Sequence, residues 1–231
     1  MSYCCQICLQ MSSMLICRFS DVITGNIEKI KIRSSRFLFG DNNRLNVFSK
    51  FKQRFFYNHL AEIRAWETRH WKAPAPHFIK QARLLEQGLA TATWVETGTF
   101  TGDTAFKLSE KAHHVYTVEP SLRGTSENVL PNQLPTLRGD VSFWLDGHYS
   151  GGDTFLGENI CPIENELANI SNNINSYSKI CVVIDDIRCF NMYNEAKYSY
   201  PSLDFLVDWS RKNGFYWMID CDMFIARNYI Q

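Results

Sequence analysis

The sequence predicts an α/β fold: a mostly parallel sheet with helices on both faces and an antiparallel hairpin at its C-terminal end. Three observations predict it. From about residue 75 onward, short apolar runs alternate with segments of helical period, the grammar of parallel strands joined by crossover helices. The run KICVVIDDIRCF is apolar without alternation, as a strand covered on both faces must be. Acids close four of the runs, at Glu119, Asp146 and Asp185–Asp186 and within the first at Glu96. In an open parallel sheet that is the end where ligands bind.

Composition sets the frame. The chain has 231 residues, 45% of them hydrophobic, enough for one sizeable core. Residues 1–55 read as a partly irregular N-terminal extension and 56–231 as the α/β domain. Twenty-four basic and 24 acidic residues cancel, so no global field points to nucleic acid; no membrane partner is expected, and self-association into a homo-oligomer is allowed. Cys181, Cys189 and Cys221 lie in or beside apolar runs and read as small buried hydrophobes, which favours a reducing, cytoplasmic setting.

The first residues, MSYCCQICLQMSSMLICRFSDVI, lack a basic start before their apolar residues and are broken by Gln10, Ser12, Ser13 and Arg18. They make a poor signal peptide and are too short and polar to span a bilayer. Cys5 and Cys8 form a CxxC without a second tight ligand pair, so a zinc site is disfavoured. Lys29, Lys31, Arg33 and Arg36 form a local basic run that reads as a solvated face.

The elements follow in order. Phe56, Leu60, Ile63 and Trp66 carry helical spacing, and KAPAP ends that helix. A second helix runs through HFIKQARLLEQGL, with Phe78, Ile79, Ala82, Leu84 and Leu85 as its expected buried face. Thr91 to Glu96 is a strand, Gly98 to Gly102 a turn and Asp103 to Lys111 a helix. HVYTVEP is a second strand ending on Glu119, and DVSFWLD a third ending on Asp146. A helix begins near Ile163, the long apolar strand ends on Asp185–Asp186, and YPSLDFLVDWSRKNG is a helix closed by Gly214. FYWMIDCDMFIARN folds back on itself around Asp220 to Asp222. Trp94 and Trp144 read as core, and His113 and His114 as surface residues.

The turn carries the functional reading. Glycines at 98 and 102 permit positive φ and close approach of a ligand to the backbone, and the following helix turns its N–H groups toward that ligand. The stretch VETGTFTGDTA resembles the first motif of S-adenosylmethionine-dependent methyltransferases with a Rossmann-like fold, acid-x-G-x-x-x-G. Phe100 spoils the alternative G-x-G-x-x-G fingerprint of nicotinamide cofactors. FWLDGHYSGGDT, CPIENEL and VVIDDIRCF look like a bacterial small-molecule subgroup of these methyltransferases, over about residues 75 to 228.

The resemblance implies that Glu96, Gly98, Thr99 and Gly102 surround the methionine half of S-adenosylmethionine. It implies that Glu119 accepts from both ribose hydroxyls, a task suited to an ionised carboxylate. Asp146, Asp185 and Asp186 resemble the acids of metal-dependent O-methyltransferases, which implies Mg²⁺ or another divalent cation as a second cofactor. The catalytic candidates are Asp146 and His148. The imidazole could take the acceptor proton, bind metal or hold the loop. Tyr149 would line the substrate pocket, and Gly151 and Gly152 would let its loop move.

One departure stands out. Only 20 residues separate Glu119 from Asp140, and they supply a helix in TSENVLPNQLPTL but no third strand. In the methyltransferase fold that strand forms a wall of the adenine pocket. The expected function is O-methylation of a small hydroxylated substrate, a sugar or secondary metabolite. The alternatives are a truncated cofactor-binding relative without turnover and an NAD-dependent oxidoreductase.

Overall fold

The computed structural model describes residues 58–120, 124–147, 161–191 and 200–230. The chain divides into two compact units, Met1–Asn58 and His59–Gln231. The first unit, with the cysteine-rich start and the basic run, lies outside the described residues apart from Asn58. So do His148, Tyr149, Gly151 and Gly152.

The second unit is built around a six-stranded sheet. In chain order its elements are α1 (residues 58–68), α2 (His77–Gln87), β1 (Thr93–Thr97), α3 (Asp103–Ser109), β2 (His114–Val118), α4 (Ser126–Gln133), β3 (Gly139–Leu145), α5 (Ile163–Asn173), β4 (Tyr177–Ile184), α6 (Leu203–Lys212), β5 (Tyr216–Asp220) and β6 (Met223–Arg227). The strand order is β2-β1-β3-β4-β6-β5. The first four strands are parallel, and β6 runs antiparallel to both β4 and β5. The α/β class, the mostly parallel sheet and the C-terminal hairpin are therefore as expected from the sequence.

The hairpin sits differently from a simple added edge. β6 is inserted between β4 and β5, so the last strand is interior and β5 forms the border. Composition explains this. Met223 to Ala226 is continuously apolar and buried, whereas Tyr216, Trp217 and Ile219 of β5 are exposed. Cys221 and Asp222 form the two-residue turn, both at positive φ (51° and 67°). That conformation matches the twist of the flanking strands. At the opposite border, no strand among the described residues pairs with the outer side of β2. The interval after Glu119 indeed forms α4 and a short 3-10 turn at Leu134–Thr136.

Alternate strand residues feed two cores, one on each face. Trp94, Trp144, Cys181, Val183 and Ile225 pack with Leu84 of α2 and Leu108 of α3. Val95, Phe143, Val182 and Phe224 pack with Leu130 of α4, with Leu167 and Ile170 of α5, and with Leu206 and Trp209 of α6. Trp94 and Trp144 are core residues, and His113 and His114 are exposed. Cys181 is fully buried, while Cys189 and Cys221 are only half-buried.

The buried face of α2 differs from the expected one. Ile79 and Leu84 are buried as predicted, but Phe78, Ala82 and Leu85 are only half-buried. Their places are taken by Lys80, Arg83 and Gln87. Polar residues face inward here because the strand tips offer them charged partners. The helix closes at Gly88, whose absent Cβ would stand 2.3 Å from the Trp94 ring.

Candidate functional site

β1 is where the sheet reverses its order: β2 lies on one side and β3 on the other. The crevice at such a switch point opens beyond the carboxyl ends of the strands. The backbone ladder continues past the strand ends there. Gly98 N–H donates to Val118 O at 3.1 Å, Asp146 N–H to Thr97 O at 3.1 Å, and Asp185 N–H to Leu145 O at 3.1 Å. Glu96, Glu119, Asp146 and Asp185 are thereby gathered at one end of the molecule. The turn between β5 and β6 comes to the same end, because Ile187 N–H donates to Asp222 O at 3.0 Å.

The turn after β1 follows from its glycines. Gly98 has φ 79°, and a Cβ there would lie 2.2 Å from Asp146 O. No other residue lets this loop cross so close to the tip of β3. Gly102 has φ 83° with open space on its Cβ side. Phe100 also takes positive φ, 46°, and is 70% exposed. Its N–H donates to Glu119 Oε2 at 2.9 Å, which ties the crown of the turn to the end of β2. α3 then begins without a side-chain cap.

Glu96 lies beneath the turn and is buried. Thr117 Oγ1 donates to its Oε2 at 2.7 Å. Thr99 hydrogen-bonds Thr117 in turn. Since Thr117 has one hydroxyl proton, already given to Glu96, Thr99 is the donor in that pair. Burial pushes the Glu96 pKa up to about 7, against the pull of Thr117 and with help from the Glu119 charge. Beside it, Thr97 Oγ1 is buried without a hydrogen-bond partner among the described residues. It sits 3.2 Å from the place a Gly147 Cβ would take.

Asp146 has its pKa raised well above the usual carboxylate value by burial and by the charges of Asp185 and Asp186, with Lys80 opposing. Asp146, Asp185 and Asp186 are the expected metal ligands, and the cation found against Asp185 and Asp186 is the Lys80 ammonium. Its Nζ lies 2.6 Å from Asp185 Oδ1, 2.7 Å from Asp186 Oδ1 and 3.5 Å from Asp222 Oδ2. Arg188 pairs with Asp186 at 2.5 Å and also with Asp222. Burial alone would lower the Lys80 pKa, but Asp185 and Asp186 outweigh it and raise it, so the ammonium stays charged. Among the described residues no group of three His, Cys, Asp or Glu is placed to hold a metal ion. Mg²⁺ therefore finds no support among the described residues.

Lys80, Arg83 and Arg188 were not singled out in the sequence, and Asp220 and Asp222 were read only as a turn. Arg83 binds Asp220 at 2.5 Å, clamping α2 to the hairpin turn. Glu166, buried on α5, comes near the Gly147 backbone. Its one sequence signal was a charge in the apolar stripe Ile163, Leu167, Ile170.

No family model matches the chain, and no curated protein does. Two solved structures are similar in fold. One is the crystal structure of the 23S rRNA methyltransferase ErmE, at 13% identity over 64% of this chain and 66% of that one, with a TM-score of 0.37. The other is an rRNA methylase from Streptococcus thermophilus, at 15% identity over 68% of this chain and 96% of that one, with a TM-score of 0.36. These enzymes are named for methylating RNA, which overturns the expectation of a small-molecule substrate with no nucleic acid. No acceptor class is carried forward from the sequence. No helix among the described residues is long and apolar enough to cross a membrane.

Proposed function

We propose that the crevice at the β1–β3 switch point binds S-adenosylmethionine and that the chain is a methyltransferase. One observation carries the reading. Glu96, Glu119 and Asp146 stand at the carboxyl ends of three neighbouring strands, beside the turn with positive φ at Gly98, Phe100 and Gly102. Bound S-adenosylmethionine would supply an electrophilic methyl group, and the chain's own residues would bind and orient it. Glu119 is the proposed acceptor for the ribose hydroxyls. Glu96, Gly98, Thr99 and Gly102 are proposed around the methionine half.

Asp146 and His148 are the proposed catalytic pair. Asp146, at the tip of β3, is proposed to orient the acceptor. His148 is the proposed base. Most of the rate enhancement in such a transfer comes from holding the nucleophile in line with the methyl.

A second reading, cofactor binding without turnover, is favoured by β2 forming the border of the described sheet, which leaves one side of the adenine region without a strand wall. Calorimetry with S-adenosylmethionine, S-adenosylhomocysteine and NAD tests the proposal. S-adenosylmethionine and S-adenosylhomocysteine should bind and NAD should not. Binding of NAD alone, or of none of the three at millimolar concentration, would overturn it. Binding followed by no methyl transfer to any acceptor tried, RNA included, would favour the second reading.

A further inference from the structure

The carboxylates at the tips of β4 and β6 close on a lysine. We propose that Lys80 is a built-in cation, an ammonium standing where clustered carboxylates would otherwise demand a divalent ion. This end of the molecule then works independently of metal.

The geometry matches the chemistry of an ammonium group. Lysine has three donors and no acceptor, and three carboxylate oxygens from three different aspartates surround Nζ. The side chain is 5% exposed. Other donors engage the same carboxylates. Asp186 N–H donates to Asp185 Oδ1 at 2.7 Å, Arg188 N–H to Asp222 Oδ1 at 3.1 Å, and the Arg188 guanidinium to Asp186 Oδ2 at 2.8 Å. A hard divalent cation gathers six or more oxygens in an open shell. Here Asp185 Oδ1, both Asp186 oxygens and both Asp222 oxygens already meet N–H donors, so an ion could take them only by expelling Lys80.

The lysine is also fixed in place. It arrives on α2, one helical turn before Arg83, and Arg83 is itself bound to Asp220 in the hairpin turn. Lys80 thus sets the positions of Asp185 and Asp186 beside Asp146 without an exchangeable ligand. It is a positioning residue. The inference rests on the proposed cofactor site only for what the cluster borders.

The test uses the full chain, stripped with chelator, and reads Mn²⁺ binding by electron paramagnetic resonance together with the melting temperature. Wild type should leave the free Mn²⁺ signal undiminished and melt at the same temperature in chelator, Mg²⁺ or Mn²⁺. Lys80→Ala should remove Mn²⁺ from the free signal and melt higher with Mn²⁺ or Mg²⁺ than in chelator. If Lys80→Ala does not fold in chelator, either ion should restore folding. A micromolar Mn²⁺ site in wild type that Asp185→Asn abolishes would overturn the proposal. So would a Lys80→Ala protein that neither binds Mn²⁺ nor gains stability from either ion. Cofactor binding is not read in this experiment, so its outcome and that of the calorimetry stay separate.

Discussion

The Phe100 amide and the Glu119 carboxylate are joined by a 2.9 Å hydrogen bond, so the crown of the glycine turn is held by the end of the neighbouring strand. Glu119 consequently has two parts to play: it orders the turn, and it is the proposed ribose partner. Glu119→Ala loses both and should weaken S-adenosylmethionine binding by roughly tenfold to a hundredfold, the worth of a hydrogen bond to a charged group. Glu119→Gln still accepts from Phe100 and should fall between. Calorimetric affinities of the three proteins check this, and equal affinities would remove Glu119 from the site.

The two glycines of the turn should respond differently to alanine. At Gly98 the added Cβ meets the Asp146 carbonyl at 2.2 Å, on top of the strained φ. The expected loss is about 2–5 kcal/mol, from overpacking and left-handed backbone together. At Gly102 the Cβ side is open, so only the backbone term applies, about 1–2 kcal/mol. Urea denaturation of both variants measures the difference, and equal losses would contradict the close approach.

Glu96 predicts a pH dependence of stability. Burial holds its pKa at about 7 in the folded protein, against an ordinary 4.5. Between these values the folded state holds a proton that the unfolded state has released, so stability falls as pH rises from the lower to the higher. Above about pH 7 the penalty is complete, on the order of 3–4 kcal/mol. Glu96→Gln still accepts from Thr117 but carries no charge. It should be more stable than wild type above neutrality and should lose this slope. Melting curves across the window decide it: an unchanged slope in Glu96→Gln would assign the effect elsewhere.

Arg83→Met should loosen the hairpin turn. It keeps much of the buried aliphatic volume and removes the pairs with Asp220 and Glu86. The Asp220 side chain is 22% exposed, so the cost should lie below that of a fully buried pair, at about 2 kcal/mol. Hydrogen exchange of the Asp220–Met223 amides should speed up while the β1 amides stay protected. Uniform acceleration would mean global destabilisation instead.

Much of this architecture was legible because strands announce themselves locally. Thr93–Thr97, Gly139–Leu145 and Tyr177–Ile184 are apolar runs closed by acids, and both signals sit within a few residues of each strand. The interior place of β6 was signalled too, by its continuous apolar run. The partners of α2 were not legible. Lys80 is 105 residues from Asp185 and Arg83 is 137 from Asp220. Helical periodicity sends such polar residues to solvent unless a distant charge draws them in. The acids could therefore be found while the cation neutralising them could not, and a metal was inferred in its stead. His148 belongs to the residues outside the description, so its assignment still rests on the sequence.

The placement of β6 has a consequence for the order in which the molecule is made. Its neighbour β4 is completed at Ile184, yet one side of β4 has no partner until translation has passed Arg227. Until those later residues leave the ribosome, Val182 and Val183 present a bare hydrogen-bonding edge. Asp222 also has not yet joined the carboxylates around Lys80. The nascent chain thus carries a continuously apolar strand with one edge unprotected for more than forty residues of synthesis.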